Sequence, residues 1–435
     1  MPRMLFICVW ALCLFALNPQ AHAEMSSATE VGTPLSLDRA LALALAHNPE
    51  VDATAAEIRA YEADALQAGL RPNPVLDLEL ENLAGSGEFS GTDATEATLM
   101  LSQAIELGGK REHRRRAAEA ETALAQSRSE ITRTELRART TRQFIAVLSA
   151  QQRLQLADDL VTLARRALST VEERIEAGKA PATEKLRARI LVAELEIART
   201  RETHTLAAER QSLAALLGGQ LKVAAVAGEL TRLPHLPPLT ELEPLLEQSP
   251  QLAQWDAQRQ QRERTLALTE SRRIPDLEVG VGIRYFNDSE DNALVAGLSI
   301  PLPLFDRNQG AVAAARSRAD QVRAEQRNAT LQARAALTTA WQQMNAAHEE
   351  AEALRDQVLP AAEEALAAAE YGYRAGKFPL LDVLDAQRTL IEMRQGHLAA
   401  LAGFHQAVAE LERLLGRPLP GLAFNSNETK ENTPS

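Results

Sequence analysis

The chain is predicted to be mainly α with a small β part. Long antiparallel coiled-coil helices make up most of the chain, and each chain adds four membrane β-strands to a barrel shared between chains. Three observations predict this. With 45% hydrophobic, 24% charged and only 4% aromatic residues, the chain is neither disordered nor a disulfide or collagen scaffold, and its Ala, Leu, Glu, Arg and Gln content favours long helices. The sequence repeats itself at an offset of about 200 residues. Each repeat carries one pair of alternating strands ahead of a very long proline-poor helical stretch. The 47 basic and 59 acidic residues give a net charge of −12, which argues against a nucleic-acid partner.

The N-terminus reads MPRMLFICVWALCLFALNPQAHAEM. Arg3 supplies a positive start, Met4 to Leu17 an apolar run, and Ala21-His22-Ala23 a small-residue cleavage site, so residues 1–23 read as a secretory signal peptide. The alternative, a membrane anchor, needs roughly 20 apolar residues, and this run has 14. Both cysteines, Cys8 and Cys13, lie inside it, and Leu12 before Cys13 is not the small residue that lipidation requires. The mature chain then has no disulfide and no Cys-ligated metal. No later segment is long and apolar enough for a transmembrane helix.

The repeat is traced by four matches. His47-Asn48-Pro49-Glu50 answers Gln248-Ser249-Pro250-Gln251, and Pro74 answers Pro275, both 201 apart. Ala177-Gly178-Lys179 answers Ala375-Gly376-Lys377, and Leu216-Leu217-Gly218 answers Leu414-Leu415-Gly416, both 198 apart. The first repeat covers 24–220, a linker 221–238 and the second repeat 239–420; the polar tail 421–435 is expected to be disordered.

Each repeat opens with a helical stretch, Leu37 to Leu70 and Leu239 to Arg273, ended by Pro72/Pro74 and by Pro275. Strands follow. Leu76, Leu78 and Leu80 alternate with Asp77, Glu79 and Glu81, and a return strand runs from about Thr95 to Ile105. In the second repeat Leu277, Val279, Val281, Ile283 and Tyr285 alternate with polar or small residues, and the return strand ends near Leu304. The long helix from Gly109 to Glu176 has apolar steps at Leu156, Leu160, Leu163, Ala167 and Val171, a narrow stripe suited to coiled-coil packing. At about 1.5 Å per residue it spans roughly 100 Å. Its counterpart, Asn308 to Arg374, contains Pro360, which should kink it, as a hinge or as a static bend. Return helices run from Ala182 to Leu217 and from Pro379 to Leu415. The return helix of the first repeat and the opening helix of the second together match the long helix in length, so they could stack end to end along it, with Gly218 to Pro238 at mid-height.

Alternating strands of about ten residues fit a tilted membrane β-strand. Four cannot close a barrel, and open edges are not tolerated in lipid, so several chains must share one; a trimer gives twelve strands. The competing view is two soluble hairpins packed on helices.

These features together resemble the TolC-like outer-membrane efflux family over about Leu35 to Pro420. The stretches that carry the resemblance are Arg71-Pro72-Asn73-Pro74, Ser102-Gln103-Ala104-Ile105-Glu106-Leu107-Gly108-Gly109-Lys110-Arg111 and Ile300-Pro301-Leu302-Pro303-Leu304-Phe305-Asp306-Arg307-Asn308-Gln309-Gly310. The last two resemble the heavy-metal branch, similar to CzcC-type cation efflux proteins. The resemblance implies a homotrimer with a 12-stranded barrel in the outer membrane and an α-helical tunnel through the periplasm. It implies docking on a periplasmic adaptor (a membrane fusion protein) and an inner-membrane RND pump driven by protons, with no catalysis and no cofactor in the channel itself.

By the same resemblance, the turns Ala177-Gly178-Lys179-Ala180 and Ala375-Gly376-Lys377-Phe378 match the tips that meet the adaptor, although plain turn chemistry also explains their glycines. Asp382 and Asp385 share one helix face, and threefold symmetry would stack them as two carboxylate rings at a constriction. They match the family's acidic gate by position, with Thr183 and Glu184 at the equivalent site of the first repeat; a dipole-favoured surface pair is the bland alternative. Tyr373 matches another gate position, and Phe378 stands where a TolC-type gate has arginine.

Lys110, Arg111, Arg114 and Arg115 open a helix whose dipole disfavours cations. They would find lipid headgroups just below the outer membrane, or neighbouring acids such as Glu119 on a solvated face. The histidines are scattered without a ligand spacing, so no metal site is expected within one protomer, and no nucleophile–base pair or phosphate loop appears. Three uses remain on the sequence: a conduit for metal cations, a conduit for drugs or type I secretion, and a structural periplasmic coiled coil or adaptor, against which the strand pairs speak.

Overall fold

The computed structural model describes residues 29–30, 34–419 and 421–422. The predicted signal peptide lies outside the described residues, as does the predicted tail beyond residue 422.

In chain order a short strand β1 (Thr29–Glu30) precedes α1 (Leu37–His47) and α2 (Pro49–Ala68). The hairpin β2 (Val75–Glu81) and β3 (Glu96–Ile105) follows, then α3 (Lys110–Glu176) and α4 (Ala182–Leu216). β4 (Leu221–Lys222), in the linker, pairs with β1 ahead of the second repeat. That repeat runs α5 (Leu239–Glu247), α6 (Pro250–Ser271), the hairpin β5 (Leu277–Phe286) and β6 (Asn292–Ser299), α7 (Gln309–Ala353), α8 (Leu359–Arg374) and α9 (Leu380–Leu415).

Where the sequence suggests one opening helix per repeat, the structure has two. Asn48 is extended (φ −77°, ψ 124°), as a residue before proline prefers. Its side chain accepts from Glu50 N and donates to Leu216 O, both at 3.0 Å, so the break is capped and fastened to the end of α4. Ser249-Pro250 makes the same break in the second repeat. Each return helix ends there on a left-handed glycine. A Cβ on Gly218 (φ +93°) would lie 2.7 Å from His47 O, and one on Gly416 (φ +72°) 2.2 Å from Pro250 Cδ. Gly416→Ala should therefore cost more than the roughly 1–2 kcal/mol of the left-handed backbone alone. Gly178→Ala, whose Cβ meets nothing within 4 Å, should cost only that. Thermal unfolding followed by circular dichroism would compare them, and equal losses would show that the Pro250 contact yields freely.

The long helix is continuous over 67 residues. Its tip half packs on α4 through Arg153–Glu202, Arg165–Glu196 and Lys185–Glu172. Its other half packs on α6, where Gln251 and Gln261 donate to Glu135 and Glu121, so the end-to-end stacking along α3 is present. α2 also lies on that half, through Arg139–Glu50 and the Ser129–Thr54 hydrogen bond. Leu160 and Val171 of the predicted stripe are buried, and Leu156, Leu163 and Ala167 half-buried. Pro360 neither breaks nor ends the helix of the second repeat. Leu354–Val358 forms one π-helical turn in which Leu359 N reaches back five residues to Leu354 O, and Pro360 enters the first turn of α8.

Core side chains gather in three places. Phe144, Leu136, Leu213 and Leu217 meet Leu35, Ala40 and Leu230 around the β1–β4 joint. Met344, Phe404, Leu411 and Leu415 meet Leu242 and Leu246 in the second repeat. The third core lies at the tips, where α3, α4, α8 and α9 come together.

The four long strands form one antiparallel sheet in the order β2-β3-β5-β6. Register puts Leu78, Leu99, Ile283 and Leu294 in one row and Leu76, Leu101, Val281 and Ala296 in the next, on one face. Most of this face is exposed: Leu78 by 66%, Ile283 by 57%, Leu294 by 78%. The opposite face carries Asp77, Glu79, Glu81, Glu96 and Arg284, with Arg284 bridging Glu81 at 3.1 Å and Glu96 at 3.0 Å. The last strand stops at Ser299 rather than near Leu304, because Pro301 and Pro303 offer no N–H to β5.

Candidate functional site

The residues expected as tips and gate gather at one end of the helices, where α3, α4, α8 and α9 come together. Each tip is a Schellman turn. Lys179 N donates to Arg174 O and Lys377 N to Gly372 O, both at 2.8 Å, while Gly178 N and Gly376 N reach Ile175 O and Tyr373 O at 2.9 Å. The left-handed glycines (φ +69° and +73°) make this closure possible without a Cβ clash. Ala177, Gly178, Lys179, Ala375, Gly376, Lys377 and Phe378 are all exposed, and Ala180 is half-buried.

Of the five gate residues expected from the sequence, the structure brings two into contact. Tyr373 is buried, and its hydroxyl donates to Glu184 Oε2 at 2.7 Å. This bond joins the end of α8 to the start of α4, across the two repeats. Burial first, and then the Glu184 carboxylate, push the phenol up to about 12. Thr183 is exposed beside Glu184. Asp382 and Asp385 lie on the exposed face of α9, opposite buried Val383, Leu384 and Gln387, and neither forms an ion pair among the described residues. Asp385 lines a cleft of about 170 Å³ with Arg187, Ile190 and Arg388.

Sequence reasoning missed Arg174. Its guanidinium stacks 4.5 Å from the centroid of the Tyr373 ring and donates through Nη1 to Arg374 O at 2.9 Å. Its repeat partner is Gly372, since the two supply equivalent carbonyls in the two tip turns. A Cβ on Gly372 would lie 2.1 Å from Phe378 Cδ2, so the glycine makes room for that ring. One tip thus sends an arginine across to Tyr373 and the other folds an aromatic ring back on itself. The asymmetry at 174 and 372 was the signal available in the repeat.

Most of the basic cluster has acidic partners within the chain. Lys110 is buried, with Nζ 2.7 Å from Asp276 Oδ1, and Leu107 N donates to the same oxygen at 3.0 Å. Arg114 is held by Glu106 and by the carbonyls of Ala68 and Leu70. Arg115 bridges Glu112 and Glu119, and holds the Glu112 carboxyl down at about 2. These cations oppose the helix dipole because acids from the β3–α3 turn, the α6–β5 turn and α3 itself already meet them. Arg111 remains exposed and forms no ion pair among the described residues.

No cluster of three or more His, Cys, Asp or Glu side chains suited to a metal ion occurs among the described residues. Nor is any described helix long and apolar enough to cross a membrane.

Comparison with known proteins agrees with this geometry. The outer membrane efflux protein model matches residues 40–219 and 242–417. The cobalt-zinc-cadmium resistance protein CzcC of Cupriavidus metallidurans is 36% identical over 389 residues, covering 89% of this chain and 91% of that protein. The nickel and cobalt resistance protein CnrC of the same organism is 30% identical over 331 residues, covering 74% and 76%. The crystal structure of the outer membrane protein VceC from Vibrio cholerae superposes with a TM-score of 0.74 at 20% identity, covering 88% of this chain and 96% of that one. With both repeats matched by the family model and nine-tenths of the chain aligned to CzcC, the protein belongs to the outer membrane efflux protein family.

Proposed function

We propose that the chain is the outer-membrane channel of a proton-driven tripartite efflux system and that its cargo is heavy-metal cations. Three copies complete a 12-stranded barrel, the helices form the periplasmic tunnel, and the tips at 177–180 and 375–378 meet a periplasmic adaptor coupled to an inner-membrane RND pump. Arg111 is left to meet lipid headgroups at the barrel's periplasmic rim. The observation that carries the reading is the sheet. One face is apolar and exposed, the other is charged, and both edge strands lack a further strand neighbour among the described residues. Lipid outside and water inside satisfy both faces, and closure satisfies the edges.

The cargo is supported by the kinship with cobalt, zinc, cadmium and nickel resistance proteins and by acidic side chains at two levels. Asp77, Glu79 and Glu96 lie on the charged face of the sheet, and Asp382 and Asp385 near the tips. Rings of carboxylates attract cations and repel anions. Deleting the gene in its host and titrating growth against Co²⁺, Zn²⁺, Cd²⁺, Ni²⁺, Cu⁺ and Ag⁺, with lipophilic drugs in parallel, tests it. The expected result is sensitivity to a few of the divalent metals, restored by the wild-type gene. Sensitivity to drugs alone would overturn the cargo and leave the channel standing.

A further inference from the structure

The helices α6 and α7 flank the second hairpin and run antiparallel. They are fastened at the hairpin end by Asn308 Nδ2, which donates to Thr269 O at 2.7 Å. Between them lies a cleft of about 380 Å³, bordered on one side by Arg262 and Arg272 and on α7 by Ala311, Ala314, Ala315 and Arg318. Arg262 and Arg272 stand roughly 15 Å apart at about 1.5 Å per helical residue. Arg316 bridges Glu270 at 2.8 Å and Arg323 approaches Glu263 at 3.9 Å. Arg318 lies between those two rungs, and so between Arg262 and Arg272 in height. Three guanidinium groups border one space.

None of the three forms an ion pair or a side-chain hydrogen bond among the described residues, and Arg262 Nε is buried without a partner. The acids on the same helices are already engaged. Glu270 holds Arg316, Glu263 holds Arg259 at 3.2 Å, and Asp320 holds Arg323 at 3.1 Å. The alanines opposite give the cleft width without giving it a counter-charge.

We propose that this cleft binds a phosphate group. A guanidinium offers paired N–H donors that match phosphate oxygens two at a time, and three cations with no acid facing them favour a multiply charged oxyanion over a single carboxylate. The volume leaves room for the molecule that carries the phosphate. That molecule is a soluble phosphate compound or a phospholipid. The second source is within reach because Arg272 closely precedes β5, whose exposed apolar face is read above as meeting lipid. The site is built by one chain, so it stands whether or not copies share a barrel.

The repeat shows that this charge is particular to the cleft. The equivalent cleft of the first repeat lies between α2 and α3, and there α3 brings its own acids. Glu112 bridges Arg115 and Arg116, and Glu119 bridges Arg115. The copies of this helix are 199 apart at their N-caps, Gly109 and Asn308, and 198 apart at their tips. On the first offset Glu112 and Glu119 become Ala311 and Arg318; on the second they become Gly310 and Ser317. Neither keeps an acid. On the facing helix, where the offset is 201, Asp64 becomes Thr265 and Tyr61 becomes Arg262, while Arg71 and Arg272 correspond. Acids have gone and cations have come on both walls of the same cleft. The first repeat supplies its own counter-charge, and the second leaves it to a ligand.

The test uses the full-length chain, purified in a non-ionic detergent without phosphate. Thermal unfolding is followed at constant ionic strength while inorganic phosphate replaces chloride. Native mass spectrometry counts the phosphatidylglycerol retained from mixed micelles. The wild type should be stabilised by phosphate, or should keep bound phosphatidylglycerol. Arg318→Glu, which puts an acid into the cleft, should weaken the binding about tenfold or more. Arg262→Gln should weaken it without reversing a charge. Arg264→Gln, at an exposed arginine of α6 outside the cleft, should bind as the wild type does. A response to inorganic phosphate assigns a soluble ligand, and retention of the lipid alone assigns a headgroup. A wild type that answers to neither probe, or cleft variants that bind as the wild type does, would overturn the site. So would an equal loss in Arg264→Gln, because the effect would then be one of net charge.

Discussion

Tyr373→Phe is expected to open the tip end of the channel while leaving the protein folded. The lost hydroxyl makes the 2.7 Å bond to Glu184, which holds the end of α8 to the start of α4. The phenylalanine ring keeps its place in the tip core and beneath Arg174. A hydrogen bond to a charged partner contributes roughly 1.5–3 kcal/mol, and about 1.4 kcal/mol is tenfold in an equilibrium constant. The ratio of closed to open channel should therefore fall about tenfold or more. Glu184→Ala should have an effect of the same size. The double variant should exceed neither by much, because both residues act through one bond. Conductance in planar bilayers reads all three. Fully additive effects would show that Tyr373 and Glu184 do not hold the tips through each other.

The sign of the pH dependence follows from the phenol. Its ordinary value is near 10, and in the folded chain it is raised to about 12. A group whose value is raised on folding contributes stability that is complete below the ordinary value and disappears as pH rises through the shifted one. The Tyr373–Glu184 tie should thus be indifferent to pH across the range in which bacteria grow and fail only between about 10 and 12. A channel that opened on moving from pH 6 to pH 8 would place control elsewhere.

The long elements were legible in the sequence because their signals are local and repeated. Proline-free apolar spacing marked α3 to within a residue, period-2 alternation marked β2 and β5, and β3 followed as the return strand of its hairpin. The two breaks at Asn48 and Ser249 were written in the Asn-Pro and Ser-Pro pairs, but helical periodicity on both sides concealed them. At the tips the glycines were legible because a helix reversal needs a left-handed residue. The Tyr373–Glu184 contact spans 189 residues, and Arg174 reaches across both tips; no spacing rule reports such pairs. The basic run at 110–116 left two kinds of partner open for the same reason. Glu119, four residues from Arg115, could be named from the sequence, but the acid of Lys110 is Asp276, 166 residues away in sequence and adjacent in space.

Val281→Arg is expected to abolish assembly in the outer membrane. Val281 sits in an inner strand of the sheet, 53% exposed, between Leu101 of β3 and Ala296 of β6. An arginine on the lipid face near the midplane costs about 2–4 kcal/mol, and a trimer would carry it three times. Glu79→Arg, on the opposite face, changes charge by more but faces water in the lumen, so the oligomer should still form with altered ion preference. The two readings of the sheet differ here in sign. Were the hairpins soluble and packed against helices, arginine at an exposed valine would be harmless and would reduce aggregation. The yield of heat-modifiable oligomer in outer-membrane fractions decides. Loss for Val281→Arg with retention for Glu79→Arg assigns lipid to the apolar face, whereas the reverse pattern would turn the sheet inside out.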